Sequence, residues 1–344
     1  ANKTIAFVNR CKYKGERLYG LAGKAYSLKA TYFHQMRQEK DSAITLFKKA
    51  YDYALQSDIK QSAADMAANT GDAYIFKDDL PKGAEWYRRA LYLADSLNMS
   101  NKATASIYMG LGRIYTQMQD YKTASKYYKD AEKQYDIMQP NMKIYFLNNY
   151  GNFYYYQQDY TNALKMFLRM KDEIERTQGA DGNDANDINL CRINLADVYL
   201  NLGNIDSAQV LVNKCEPFFR KYNVEVAIYY INTIKIGICL KKNNLQCVRN
   251  IIDGENFRYA IEQPLKSIRA RYMKDYYIMI GNYDKALEII EQSRQEQDSL
   301  AHNKMNMRTN EIMLRFTADT LKLHHQIAIN KKNDEMKSAH LTIA

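Results

Sequence analysis

One pattern recurs along this chain about every 40 residues, and it constrains the fold more than any other feature. Four clear copies contain a small residue, an aromatic residue three positions later, an Asp or Asn followed by an apolar residue, and then a second small residue followed by a bulky one. Three weaker copies keep only part of this pattern. The clearest copy has Gly112, Tyr115, Asp120, Ala124 and Tyr128 at these positions. A chain that repeats one unit in this way stacks its units in a row, because no unit can bury its apolar face alone.

Seven copies share this phase. Their first marker positions are Thr31, Gly71, Gly112, Gly151, Ala196, Ile236 and Lys274. These positions are separated by 40, 41, 39, 45, 40 and 38 residues, whereas the second small position always follows the first after 12 residues. The extra residues therefore lie between the units, where longer helices would accommodate them.

The spacing within a copy predicts a pair of helices. A small residue and an aromatic residue three positions later lie on one face of a first helix. The second small residue then lies on a second helix, at the point where the two backbones approach closely. An Asp or Asn just before that helix can accept its free amide hydrogens, and Pro81 suits a first helical turn. We therefore predict an all-α superhelix of about seven helical hairpins.

Composition limits the functions that such an array can have. The formal charge is +10, but Lys and Arg alternate with Asp and Glu along the chain, which predicts a solvated basic surface and no direct binding of nucleic acid by this segment. No run of 18 apolar residues occurs, so any membrane attachment is expected through a segment beyond residue 344. The five cysteines show no C-x-x-C spacing, and we interpret them as small buried hydrophobic residues.

The ends and one insertion depart from the repeat. We assign residues 1–293 to the repeat array, with 1–14 as an N-terminal capping segment, and residues 294–344 to a long C-terminal capping or connecting helix. The first half of this helix is expected to pack on the last hairpin, and the second half to project from it. Residues 177–187 are polar and contain two glycines, which favours a solvent loop over a calcium site.

Motifs for catalysis or cofactor binding are not recognisable. Gly23 and Lys24 lack the remainder of a phosphate-binding loop, and Gly110 and Gly112 lack the third glycine of a dinucleotide fingerprint. The histidines do not have the spacing of metal ligands: they are His34, His302, His324, His325 and His340. We therefore predict a protein that is not an enzyme and needs no metal or other cofactor.

The seven phased copies resemble the tetratricopeptide repeat family, in a long-period variant, over about residues 15–293. The Trp and Pro that are typical of the family are missing from the copies. The resemblance implies that the first helices line a concave groove that binds a protein or peptide ligand. The groove residues implied in this way are Asp72, Arg113, Tyr145, Asn148, Asn152, Tyr155 and Asp197.

Asn148 and Asn152 are the centre of this predicted groove. They lie one helical turn apart, so their amides could hold a peptide backbone between them, with Tyr145 and Tyr155 as apolar walls. The alternative is that both are ordinary hydrophilic surface residues.

Long-period arrays of this kind are similar to the sensor-side repeat domains of membrane-anchored bacterial regulators. The resemblance implies the ligand-sensing part of a transcriptional regulator, on the periplasmic side of a bacterial inner membrane. One alternative is a cytoplasmic scaffold or peptide-responsive regulator with no membrane link. Another is a helical enzyme or lipid carrier.

Overall fold

The computed structural model describes residues 1–11, 15–34, 39–57, 59–97, 99, 101–178, 186–258, 261 and 263–308. Every regular element in these ranges is a helix. The helices are α1 Asn2–Arg10, α2 Glu16–Tyr32, α3 Lys40–Leu55, α4 Gln61–Phe76, α5 Leu80–Ser96, α6 Asn101–Gln117, α7 Tyr121–Glu132, α8 Pro140–Tyr156, α9 Tyr160–Gln178, α10 Asn186–Asn201, α11 Ile205–Lys221, α12 Glu225–Lys241, α13 Leu245–Asp253 and α14 Gln263–Met279. A further helix, α15, covers 283–308.

The helices pair as the sequence predicts. Helix α1 packs on α2, and the pairs from α2–α3 to α12–α13 pack as consecutive antiparallel hairpins. A seventh hairpin joins α14 to α15, where Ser267 Oγ donates to Glu296 Oε2 at 3.0 Å. The described residues therefore form a superhelix of seven hairpins, and the predicted fold class is confirmed.

The small residues make close contact between the two helices of a hairpin possible. A Cβ atom added to Gly151 on α8 would lie 2.5 Å from the ring of Phe167 on α9. One added to Gly112 on α6 would lie 2.9 Å from the ring of Tyr128 on α7. Tyr87 extends this packing between hairpins, because its ring lies against Gly71 of its own hairpin and also against Gly110 of the next.

Six hairpins share one turn of three residues. In the α8–α9 turn, Gln158 adopts a φ of +63°, and the N–H of Asp159 donates to the carbonyl of Tyr154 at 3.0 Å. Asp159 then caps α9 by accepting from the N–H of Asn162 at 3.1 Å. The same cap is formed by Asp79, Asp120, Asn204, Asn244 and Asn282. The predicted role of this Asp or Asn is confirmed, and the first helix ends in a Schellman motif.

Gln158 occupies a left-handed conformation that costs a residue with a Cβ about 1–2 kcal/mol. We expect Gln158→Gly to raise the free energy of unfolding by about 0.5–1 kcal/mol, because the gain exceeds the entropy cost of glycine. Urea denaturation measures this change. The matched control is Gln157→Gly, where φ is −79° and the same substitution should destabilise the protein. Equal effects of the two substitutions would contradict this reading of the turn.

Three cysteines differ from the sequence interpretation. Cys11 is a free thiol that is only partly buried, and it donates to the carbonyl of Phe7 at 3.4 Å. Cys191 and Cys215 are buried thiols, as expected. Cys239 and Cys247, however, form a disulfide that joins α12 to α13, with their Cα atoms 6.0 Å apart. The interpretation was wrong for this pair because their spacing of eight residues matches no cysteine motif. The antiparallel hairpin is what brings them together.

Helix α15 continues through residues 293 and 294 without a break. Its last turns reach back to the third hairpin, where Lys304 Nζ donates to the carbonyl of Gln119 at 3.5 Å and Arg308 lies 3.7 Å from Asp120. Met307 between them is only 2% exposed. The helix therefore crosses from the seventh hairpin to the third.

The domain boundaries remain predictions. The expectations for residues 309–344, and for most of the 177–187 loop, lie outside the described residues. Among the helices that are described, none is both long and apolar enough to cross a membrane.

Candidate functional site

The first helices of the hairpins lie on the inner side of the curve. Each contacts the first helix of the next hairpin from α4 to α14, whereas successive second helices do not pack comparably within the described residues. A row of hairpins bends toward the side on which its elements are closest. The residue after each small marker is rotated about 100° from the seam between the helices, since a helix has 3.6 residues per turn. This rotation is the basis of the prediction that Asp72, Arg113, Asn152 and Asp197 face the inner side.

At one end of the inner face, the second and third hairpins are joined by polar contacts. Asp72 on α4 and Arg113 on α6 form an ion pair. Tyr87 Oη also donates to Asp72, at 2.8 Å. The side chains of Arg113 and Asp72 are 28% and 41% exposed, and Tyr145 on the neighbouring α8 is 43% exposed. This part of the inner face is therefore accessible, and its charges are paired.

The predicted asparagine pair lies beside these residues. Asn194 on α10 donates to Asn148 Oδ1 at 2.8 Å, so the acceptor of Asn148 is engaged while its amide N–H groups point elsewhere. Asn152 is half-buried, and its side chain makes no hydrogen bond within the described part of the chain. Asn149 donates to the carbonyl of Tyr145 at 2.7 Å. The pair thus offers several donors and one acceptor to a ligand.

The other two predicted residues, Tyr155 and Asp197, are buried. Asp197 is fully buried and accepts hydrogen bonds from Tyr230 Oη at 2.7 Å and Asn201 Nδ2 at 3.0 Å. Arg271 on α14 reaches Asn201 at 3.2 Å and also Tyr160, which begins α9, at 3.3 Å. Helices α12 and α14 therefore cover α10 and the C-terminal end of α8.

The sequence reasoning missed Asn194, which links α10 to the predicted pair. A signal for it was present: Asn69, Asn149 and Asn194 all stand two positions before the small marker of their copies. Three equivalent asparagines in one repeat position point to a shared location on the first helix.

Burial raises the pKa of Asp197 above its ordinary value of 3.8, against the opposing effects of the Tyr230 hydroxyl and the Arg271 charge. The folded protein then binds this proton at higher pH than the unfolded chain, so the contribution of Asp197 to stability is lost as pH rises through the folded pKa. We expect Asp197→Asn to remove this loss. The unfolding free energy of the variant, minus that of the wild type, should rise with pH above 3.8 and then level off. A difference that is independent of pH in urea denaturation would contradict the prediction.

Comparison with known proteins was made for sequence and for structure. A model of the tetratricopeptide repeat family matches residues 62–136, which span the hairpins α4–α5 and α6–α7. No curated protein sequence matches the chain. No group of three or more His, Cys, Asp or Glu residues in the described ranges is placed to hold a metal ion.

Similar solved structures cover most of the chain. A Rap protein complexed with Competence and Sporulation Factor shares 12% identity over 87% of this chain and 80% of its own, with a TM-score of 0.60. The apo form of RapI shares 14% identity over 83% and 99%, with a TM-score of 0.57. Aspartyl phosphate phosphatase F from Bacillus subtilis shares 18% identity over 81% and 71%, with a TM-score of 0.56.

At these identities the likeness concerns the fold. Together with the matched segment and the phased hairpins, it shows that this chain is a helical solenoid of tetratricopeptide-type repeats.

Proposed function

We propose that this solenoid binds a protein or peptide segment on the accessible inner face of α6 and α8, and that it has no catalytic role of its own. The observation that carries the proposal is the uncovered surface formed by Arg113, Tyr145, Asn148 and Asn152. It combines carboxamide groups, a partly exposed ring and a paired charge in a fold whose first helices form one continuous inner side.

This surface suits an extended peptide. A peptide backbone alternates N–H and C=O groups, which the amides of Asn148 and Asn152 can bind in either direction. The exposed ring of Tyr145 offers contact to an apolar side chain at little entropic cost. The Asp72–Arg113 pair limits net charge, so the central part of the ligand is expected to be uncharged.

We expect Asn148→Ala with Asn152→Ala to weaken peptide binding by about tenfold or more, because two sets of hydrogen bonds are lost. The melting temperature should fall by about 2–5 °C, because Asn148→Ala leaves the buried amide of Asn194 without its acceptor, whereas Asn152 makes no such contact. A peptide selected from a random display library, and measured by fluorescence anisotropy, is the probe.

The control removes a similar amide pair elsewhere. Gln209 Nε2 donates to Asn213 Oδ1 at 3.0 Å on the exposed side of the second helix α11. Gln209→Ala with Asn213→Ala should leave binding unchanged. Failure to select any peptide, or equal binding by both double variants, would contradict the assignment of the binding site to this surface.

We further propose that the chain is the ligand-sensing part of a bacterial membrane-anchored transcriptional regulator. The Cys239–Cys247 disulfide supports a location outside the cytoplasm, because disulfides persist in oxidising compartments. The alternative is a peptide-responsive regulator with no membrane link; one neighbour in fold, a Rap protein, was solved in complex with Competence and Sporulation Factor. One neighbour is named a phosphatase, so release of phosphate from an aspartyl-phosphate protein is the activity to assay against the non-catalytic proposal.

Thiol trapping in the native host distinguishes the two locations. Cells are quenched in acid and the denatured protein is alkylated with a maleimide polymer. Protection of two of the five cysteines indicates the oxidised, extracytoplasmic form. Modification of all five would favour the cytoplasmic alternative.

A further inference from the structure

The second helix of the sixth hairpin is short, and the space that it leaves beside α12 forms a cleft. This helix, α13, has only 9 residues, whereas α12 has 17. Helix α13 therefore covers only the C-terminal half of α12, and the chain continues through residues 254–258 without helical structure. The remaining space is a cleft of about 680 Å³ between the α11–α12 turn, α12, α13 and residues 254–257.

One wall of this cleft is held rigidly by buried polar contacts. Glu255 accepts two hydrogen bonds from Arg269, at 2.8 and 2.5 Å, and a third from Asn232 at 2.8 Å. The backbone N–H of Arg258 donates to Glu225 at 2.8 Å. Phe257 lies edge-on to Tyr229, with ring centroids 5.4 Å apart. The wall is thus preorganised, which lowers the entropic cost of binding a ligand.

The charges around the cleft are neutralised locally. Arg220 and Lys235 both pair with Glu216, at 2.6 and 3.1 Å. Glu255 is paired with Arg269, as described above. The cleft therefore has no uncompensated cation of the kind that recognises a phosphate or carboxylate group. This balance favours a neutral ligand.

Carboxamides dominate the rest of the lining. They are Asn223, Asn232, Asn244, Gln246, Asn250 and Asn256. Asn232 already donates to Glu255, Asn244 Oδ1 caps α13 and Gln246 donates to Asn250, but each of these amides keeps its other group for a ligand. The set therefore still presents both donors and acceptors, which matches a ligand whose groups do both. Sugar hydroxyls have this property, and the ring of Phe257 offers an apolar surface to the C–H face of a sugar.

We propose that this cleft is a second binding site, specific for a short neutral oligosaccharide and separate from the inner face. Its volume lies within the range of about 300–1,000 Å³ that small-molecule sites occupy. A peptide fits the lining less well, because its apolar side chains would face mostly amides. The site depends on the shortness of helix α13. Among the other described hairpins, only α7 is also short, and a 3₁₀ turn at Tyr135–Ile137 follows it.

Saturation-transfer difference NMR on the full 344-residue chain tests this inference, with maltotriose, cellotriose and chitotriose as probes and the tripeptide Gly-Asn-Gly as the competing class. At least one sugar should show transfer. Q246A with N250A should reduce that transfer by about fivefold or more, since it removes amide contacts from the cleft. F257L should also reduce it, by loss of the ring.

The control double variant Q209A with N213A removes the same type of amide pair from α11. Gln246 Nε2 donates to Asn250 Oδ1 at 2.8 Å, one helical turn apart, as Gln209 does to Asn213 at 3.0 Å. Transfer that survives in the control and falls in both cleft variants supports the site. Absence of transfer from all three sugars, survival of transfer in the cleft variants, or binding of the tripeptide alone would overturn it.

Discussion

Gly151→Leu is expected to lower the free energy of unfolding by about 3 kcal/mol, at the upper end of the cost of overpacking a core. A Cβ at this position would lie 2.5 Å from Cε1 and 2.7 Å from Cζ of Phe167, and the rest of a leucine side chain needs still more room. Phe167 is 1% exposed and cannot swing into solvent. The substitution must therefore push α8 away from α9, and this shift also disturbs the two neighbouring hairpins because the repeats are stacked.

Thermal and urea denaturation check this prediction. Gly112→Leu should behave similarly, since its Cβ would lie 2.9 Å from the ring of Tyr128. Gly15 serves as the control, because no atom lies within 4 Å of a Cβ added there, and Gly15→Leu should change stability by less than about 1 kcal/mol. If Gly151→Leu and Gly112→Leu both melt like the wild type, the assignment of the small positions to the helix seam is wrong.

Arg269→Met is expected to cost about 3–5 kcal/mol, the usual effect of removing one partner from a buried ion pair. The side chains of Arg269 and Glu255 are only 10% and 13% exposed, and two hydrogen bonds join them. Without Arg269 the Glu255 carboxylate remains buried without its cation, and residues 254–258 lose the contact that holds them against α14. The double variant Glu255→Leu with Arg269→Met should lose less than the sum of the single effects.

Arg249, on the neighbouring helix α13, provides a matched comparison. It lies 3.7 Å from Asp253, and the two side chains are 68% and 69% exposed. Because solvent screens this pair, Arg249→Met should cost no more than about 1 kcal/mol. Similar losses for Arg249→Met and Arg269→Met in urea denaturation would show that burial of the Glu255–Arg269 pair is not the source of its effect.

The hairpins and their turns could be predicted because their information is local. Gly112, Tyr115, Asp120 and Ala124 lie within 13 consecutive residues, and one α-helical period together with one capping residue explains all four. The left-handed residue of the turn was not predicted, because Asp78, Gln119, Gln158 and Asn243 hold a conformation that a sequence reader assigns to glycine. Their conformation is imposed by the two helices that they connect.

The candidate site was only partly predictable. The family resemblance implied which residues of each first helix face the groove, and the structure adds that Asp72, Arg113, Tyr145, Asn148 and Asn152 are at least partly exposed. The same resemblance implied Tyr155 and Asp197, which are buried beneath α12 and α14. A repeat pattern cannot distinguish an exposed groove residue from a buried one. Whether a later helix covers the residue depends on the angles between successive hairpins, which add up over several repeats.

The sequence by itself determined the repeat unit, its phase and the helix that carries each inner-face residue, since these follow from contacts between residues fewer than about 40 positions apart. Only the tertiary structure decided which hairpins that are distant in the sequence contact each other. Arg271 reaches Tyr160 across 111 residues, and Lys304 reaches Gln119 across 185. These contacts, and the cleft beside the short helix α13, arise from the accumulated curvature of seven hairpins, a property of their packed interfaces that no single repeat encodes.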